Sequence, residues 1–496
     1  MKPVSVGLFI VGIAWLFGST LTAEEGGSPW DSTLLVNPID PKATDEGEGH
    51  LTQPFKTIGA AGNKALELAE AGKSVRVVIQ PGVYAESVTL LGEEDPQNAP
   101  IKFEGVAGGE VFLVGTELIS GWSIEDHGVF ERPWDPDKYE HNPMLFVEVA
   151  RLVEVDSLRQ VGAGKVFFDR SNSDARIYFL PPRGGTVRDG TIQIGRGETA
   201  AFDVRNIKNL IFENIAIERS YAFGIKAENC DGLRVHNVSA EYCQVAGLRL
   251  VHSSGAELKR LLTDRCGEGG FWVYGSRSLL IERCEANLNG WATPGQASAI
   301  LLQECGVIKV RNLRVVENRL EGITLLGNQA VELDIPTLIK NTGSGVNIGN
   351  VGPTSIKGAE IANNGGAGVL VASTLGLEGN LFYGNAGAQL EVTEGGDVSM
   401  VRSILMSTAA NSSLIDLSNG SSYGGAENLF YAAAMPEPFI LLDKRGGFAW
   451  WQEVSTSDLN SFYGDPMLAN PSRFDFMPTP KSPFFSRKEW PVRKLD

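Results

Sequence analysis

Gly224, Gly247 and Gly270 lie 23 residues apart, as do Gly322, Gly345 and Gly368, and 52 residues separate the two groups. Each of these glycines stands near the start of a short apolar run, as in FGIKAENC (Phe223 to Cys230) and AGLRLVHS (Ala246 to Ser253). A fixed period of this kind means that each unit buries its apolar side only by stacking on its neighbours. Twenty-three residues are too few for two packed helices, and the rows lack a 3.6-residue period. They suit one coil of a parallel β-solenoid with three short strands and three bends. A leucine-rich repeat would need LxxLxLxxN spacing, which the rows do not keep. The 52-residue step is two rows plus six extra residues, with Ala299 in the place of the glycine.

Alternation along the rows predicts an inward stack of Ile225, Leu248, Leu250, Phe271, Val273, Ile323, Leu325, Val346, Ile348, Val369 and Val371. Two columns of small polar residues keep the same register. Four positions before the glycine stand Ser220, Cys243, Cys266, Asn318, Asn341 and Asn364; six positions after it stand Cys230, Ser253, Ser276, Cys305, Asn328 and Thr374. Such residues stacked at a turn satisfy its backbone groups from coil to coil. This accounts for the cysteines without disulfides, since stacked coils hold Cβ atoms roughly 4.8 Å apart and a disulfide needs about 3.8 Å. Five free thiols are therefore expected. No CxxC, HxxH or HExxH pattern points to a metal or redox site.

The rows, together with PFKTIGAAGNKALELAEAGKSVRVVIQPGVYAESVTL near the start, resemble the right-handed parallel β-helix proteins of the pectate lyase-like superfamily. The resemblance implies an all-β, single-stranded right-handed solenoid whose first coil is capped by a helix, here over residues 55–72. It covers most of the chain and leaves chemistry open, because this fold hosts lyases, hydrolases, epimerases and non-catalytic adhesins. The expected organisation is a signal peptide at 1–23, a cap and first coils at 24–121, an inserted β-rich subdomain at 122–200, repeats at 201–421 and a closing segment at 422–496. The leader reads MKPVSVGLFIVGIAWLFGSTLTA, a lysine before an apolar run that ends on small residues. It predicts a secreted or periplasmic monomer without a retained membrane span. A net charge of −17 disfavours nucleic acid and anionic membranes as partners.

Chemistry is sought on the outer side of the strand that follows each glycine. With Ile225 and Ala227 inward, Lys226 and Glu228 point out, and the next coils offer Arg249, then Trp272 and Tyr274, then Leu301 and Gln303. A basic pair beside two aromatics suits an acidic polysaccharide, with cations on the carboxylate and rings on the sugar face. A solvated strand surface would read the same way. The six extra residues fall in NGWATPGQA, 289–297, expected to wall this stripe with Trp291. Trp272, Tyr274, Trp291 and Gln303 are the expected substrate contacts.

Two mechanisms fit. In β-elimination, Lys226 acts as base and Arg249 holds the uronate carboxylate. The alginate and chondroitin lyases that the chain resembles use a lysine and an arginine about one coil apart, although their flanking motifs are missing here. In glycoside hydrolysis, Glu268 and Glu321, two coils apart, would form the carboxyl pair. The Gly-His-Gly and adjacent aspartates of polygalacturonases and the Asp-Pro-His-Asp of mannuronan epimerases are also missing. Of the two, the lyase reading has the better alignment, and a glycan-binding surface protein is a third reading. The sequence identifies no cofactor and leaves calcium on acidic loop residues open, with Glu228 and Asp231 as candidate ligands.

Overall fold

A computed structural model describes residues 29–483 apart from 125–127, 140–141, 172–173, 183–186, 188–189, 198–199 and 293–297, so the expected leader lies outside the described residues. The chain winds into a parallel β-solenoid with three faces. Face 1 is a 13-stranded sheet that begins with Val88–Leu91 and Ala200–Arg205 and continues through Phe223–Glu228 to Phe439–Leu441. Faces 2 and 3 share one 23-stranded sheet, face 3 including Thr337–Ile339, Glu360–Ala362 and Leu381–Tyr383. The strands Leu210–Glu218, Arg234–Glu241 and Ala256–Asp264 run through both, turning at Asn214, Asn237 and Arg260, whose φ angles are 57°, 52° and 51°. Asparagine tolerates this left-handed conformation well, and Asn237 also donates to Asn214 across the coils.

The predicted register is the observed one. Ile225, Leu248, Phe271, Ile300, Ile323, Val346 and Val369 stack in parallel pairing, and every residue of the expected inward set is buried. Burial of each such side chain contributes roughly 1.5–3 kcal/mol. The glycines are explained by the coil spacing: a Cβ at Gly224 would stand 2.5 Å from the carbonyl oxygen of Gly247, and one at Gly322 would stand 2.4 Å from that of Gly345.

The first polar column is a hydrogen-bonded ladder. Asn318 Nδ2 donates to Asn341 Oδ1 at 2.8 Å and Asn341 Nδ2 to Asn364 Oδ1 at 3.0 Å, while each amide also donates to a carbonyl of an earlier coil. Asn289, read from sequence as the start of the long loop, belongs to this ladder, as does Asn385. In the second column the amide of Cys230 donates to Ser253 Oγ, that of Cys305 to Asn328 and that of Val351 to Ser373. Ser373 therefore holds the place expected for Thr374. All five cysteines are buried free thiols.

Parallel pairing continues past residue 421, through Ser422–Ala426, Leu429–Ala432, Phe439–Leu441 and Phe462–Tyr463. The closing segment was expected to start earlier because these rows lack the glycine that marks the period. Helix Ile58–Glu70 covers the first coil with Ile58, Ala61, Ala65 and Leu66; Thr57 accepts from the Ala60 amide, and Glu86 accepts from those of Ile58 and Gly59. Helix Phe448–Ser455 covers the other end with Trp451, stacked 5.1 Å from Phe439. A hairpin of Leu468–Asn470 and Asp475–Pro478 lies back along face 3, where Phe476 packs with Ile339, Ala362, Leu381, Ile404 and Leu429. Between Thr116 and Gly195 the chain leaves the solenoid to form sheets of four and five mainly antiparallel strands; VFFDRSNSDARIYFLPP supplies the pair Lys165–Asp169 and Arg176–Leu180.

Candidate functional site

Outward residues of face 1 form two columns that run along the solenoid. The first reads Thr89, Asp203, Lys226, Arg249, Trp272, Leu301, Thr324, Asn347, Leu370, Glu391 and Asp416. The second includes Arg205, Glu228, Val251, Tyr274 and Gln303. Lys226, Arg249, Trp272, Tyr274 and Gln303 thus share one surface, in the order read from the repeat.

Asp203 alters what the basic pair can do. This carboxylate is 5% exposed; Arg205 contacts it at 3.0 and 3.2 Å and Lys226 Nζ lies 3.5 Å away. Lys226 is therefore engaged in an ion pair with this carboxylate. Arg249, in contrast, makes no ion pair among the described residues. Its guanidinium sits 5.7 Å from the centre of the Phe223 ring, which meets Trp272 edge-on at 6.4 Å. Trp272 lies along the sheet and donates from Nε1 to the Ser298 carbonyl at 3.3 Å. Burial raises the pKa of the Tyr274 hydroxyl, and Arg249 acts in the opposite direction. The result is a cation over the Phe223 ring, with Trp272 as its neighbour on the next coil. Phe223 and Asp203 were missed in the sequence: Phe223 precedes the glycine, where the alternation is interrupted, and Asp203 lies in the coil before the first row.

The expected wall has a different arrangement. Trp291 donates to the Arg265 carbonyl at 2.7 Å and is covered by Arg151 of the inserted subdomain, 3.6 Å above its ring, so its face is already occupied. Burial pulls the Arg151 pKa down to about 10. The subdomain also reaches this corner through Gln244, which donates to the Asn142 carbonyl, and through Phe146, which lies beneath Arg219. Residues 293–297 of the expected wall lie outside the described residues.

Of the expected Glu268 and Glu321 pair, which stand two coils apart, Glu321 has a hydrogen-bond partner on the coil beyond it. Glu321 stacks on Ser298, and its Oε2 accepts from the Ser344 amide at 2.6 Å, one coil further from Glu268. Burial raises its pKa against that hydrogen bond. Glu268 is half-buried in the turn, its amide bonded to the Val245 carbonyl. Asp231, one of the two calcium candidates, accepts from the Ser254 amide, and no group of three or more His, Cys, Asp or Glu converges among the described residues.

A different carboxyl pair stands further along the same column. Glu391 and Asp416 are direct neighbours on successive coils, and Ile440 and Arg445 follow in the pairing order. Burial raises the pKa of Glu391, and the Asp416 charge adds to it; burial also raises Asp416, which Arg445 counteracts. Both carboxyls are thus held above their ordinary range, and Arg445 opposes the rise at Asp416. In-register neighbours lie about 4.8 Å apart, close to the ~5–5.5 Å of glycosidases that retain configuration. The rows GAQLEVTEGG and SSLIDLSNGS carry this pair, but Gln389 stands where the glycine would be and the steps into Glu391 and Asp416 are 21 and 25 residues. The loss of period hid it.

Residues 186–296 and 298–431 match the family described as the right handed beta helix region. No curated protein sequence matches the chain. Similar solved structures include a complex of XylC with xylose, 11% identical with a TM-score of 0.56 over 88% of this chain and 87% of that one. A glycoside hydrolase is 12% identical with a TM-score of 0.51 over 80% and 96%. Pectate lyase Pel9A is 11% identical with a TM-score of 0.31 over 82% and 70%.

Proposed function

The chain is a right-handed parallel β-helix protein of the pectate lyase-like superfamily, and on that premise we propose that it hydrolyses a polysaccharide laid along face 1, with Glu391 and Asp416 as its working carboxyls. The observation that carries this reading is their in-register pairing on one outward column, with Arg445 two strands beyond Asp416 in the same pairing order. Glu391 would give its proton to the glycosidic oxygen as that bond breaks, while Asp416 attacks the anomeric carbon. Water then cleaves the glycosyl ester with Glu391 as base, restoring both groups. The structures similar to this chain, one holding xylose and one a glycoside hydrolase, agree with the reading but share the fold alone.

A second reading is β-elimination of a uronate polymer at Lys226 and Arg249. It is favoured by Arg249, which makes no ion pair among the described residues, and weakened by the Lys226 to Asp203 contact. An array of acidic and neutral polysaccharides, followed by reducing ends and by ultraviolet absorbance of unsaturated uronate, separates the two. Hydrolysis gives reducing ends without absorbance, and Glu391→Gln or Asp416→Asn lowers it ~10²–10⁴-fold. Absorbance that disappears in Lys226→Ala would overturn the assignment in favour of elimination.

A further inference from the structure

One sheet of the inserted subdomain turns a pair of rings to the outside. In the sheet built from Ser123–Ile124, Phe130–Pro133, Val153–Glu154, Lys165–Asp169 and Arg176–Leu180, the alternate residues Val166, Phe168, Ile177 and Phe179 lie in the subdomain's own core. The opposite side of such a sheet is ordinarily polar. Here Phe167 is the direct cross-strand partner of Tyr178, both partly exposed, with their rings parallel to within 16° and their centres 6.2 Å apart. Val153, 52% exposed, adds to the same side beside Lys165. From Tyr178 the row continues to Glu131 and Ser123. The polar groups that border the rings are already matched to one another: Arg176 meets Glu131 at 3.0 Å and Asp174 at 3.2 Å, Ser123 Oγ donates to Glu131 Oε1 at 3.1 Å, and Asp169 accepts from the Ser171 amide at 2.8 Å. Asp169 and Arg176, partners across the strands, stand two residues from the rings.

An apolar stripe beside a stripe of mutually satisfied polar groups has the same division as a pyranose, whose C–H face is apolar and whose rim carries hydroxyls. Glu131 and Asp169 balance Lys165 and Arg176, so the face has no net charge with which to draw an anion. Its three longer strands present roughly 14 Å by 17 Å of sheet, well below the ~800 Å² per partner of a stable protein interface. We propose that the outer face of this sheet is a binding surface for an uncharged polysaccharide, with Phe167 and Tyr178 as the platform on which its sugar rings stack. The surface belongs to the inserted subdomain and uses no residue of face 1, so it holds the molecule on a polymer independently of any cleavage.

The test is depletion of the full chain from solution by insoluble xylan and by cellulose. The parent is expected to be retained by at least one of the two, and equally well at low salt and at about 1 M salt, since no charge holds the ligand. Phe167→Leu combined with Tyr178→Leu keeps an apolar pair across the strands and removes both ring faces. It should weaken retention at least tenfold while melting like the parent, whereas Tyr178→Phe should retain most of it. Unchanged retention in the folded double variant, no retention of the parent by either polymer, or retention that salt abolishes overturns the platform. Self-association of the parent in sedimentation, lost in the same double variant, would assign the face to a second copy and overturn it equally. Ring-dependent retention without any release of reducing ends would keep the platform and retire the hydrolase reading.

Discussion

The corner leading into face 1 and the outer column of that face lie a few residues apart on every coil, and they are built on opposite plans. At the corner, Ser220, Cys243, Cys266, Asn289, Asn318, Asn341, Asn364 and Asn385 place one small, buried polar residue per coil. The amides of Asn289, Asn318, Asn341 and Asn364 each span to the next coil, so a change at one level must suit the levels on both sides. On the outer column, Asp203, Lys226, Arg249, Trp272, Leu301 and Thr324 succeed one another with no common chemistry. Stacking imposes repetition where coils must satisfy each other and imposes nothing where they face solvent. Departures from repetition on the outside are therefore where a ligand would leave its mark.

The sharpest way to break this contrast is to place one charge on either side of a single strand. Leu325 is fully buried and Leu326 is 37% exposed. Leu325→Asp should destabilise the protein by about 4 kcal/mol or more, because an unpaired carboxylate enters the stack. Leu326→Asp should change stability by no more than ~0.5 kcal/mol. Thermal melts of the two variants decide whether the register is right, and equal melting would show that it is not. A smaller effect tests the ladder: Asn341→Ala removes the link to Asn364 and the bond to the Val315 carbonyl, and leaves Asn318 without its acceptor. A loss of about 3 kcal/mol is expected in denaturant melts, and a loss under ~1 kcal/mol would mean that the ladder is incidental.

The smallest effect belongs to the outer column and depends on pH. The Glu391 pKa is raised in the folded protein, so between the ordinary glutamate range and that higher value the folded state binds more protons than the unfolded one. Stability should therefore fall as pH rises through this window. Glu391→Gln should melt like the parent at the acidic end and fall less as pH rises. Parallel curves would deny the shift.

Much of this architecture was legible beforehand because the constraints repeat. Six glycines fixed the phase, and the inward set and the outer neighbours Lys226, Arg249, Trp272, Tyr274 and Gln303 followed by counting. What escaped lay where the count failed. Asp203 precedes the first counted row, Asn289 sits beside six extra residues, and Glu391 and Asp416 follow the last glycine of the series. The occupied face of Trp291 was out of reach for another reason: Arg151 belongs to the inserted subdomain, and no periodicity places one outside the solenoid against its corner.

The hairpin that folds back over face 3 has a consequence for the order in which the molecule can be finished. Its Phe476 meets residues from Ile339 to Leu429, so a segment near the end of the described chain rests on coils that precede it by nearly 140 residues. Coils can stack on one another as they are made, each offering an edge to the next. The outer apolar row at Ile339, Leu381, Ile404 and Leu429 stays uncovered until that hairpin follows. Growth is thus sequential while completion is a single late event, and an interrupted chain would present a sticky flank along with a ragged tip.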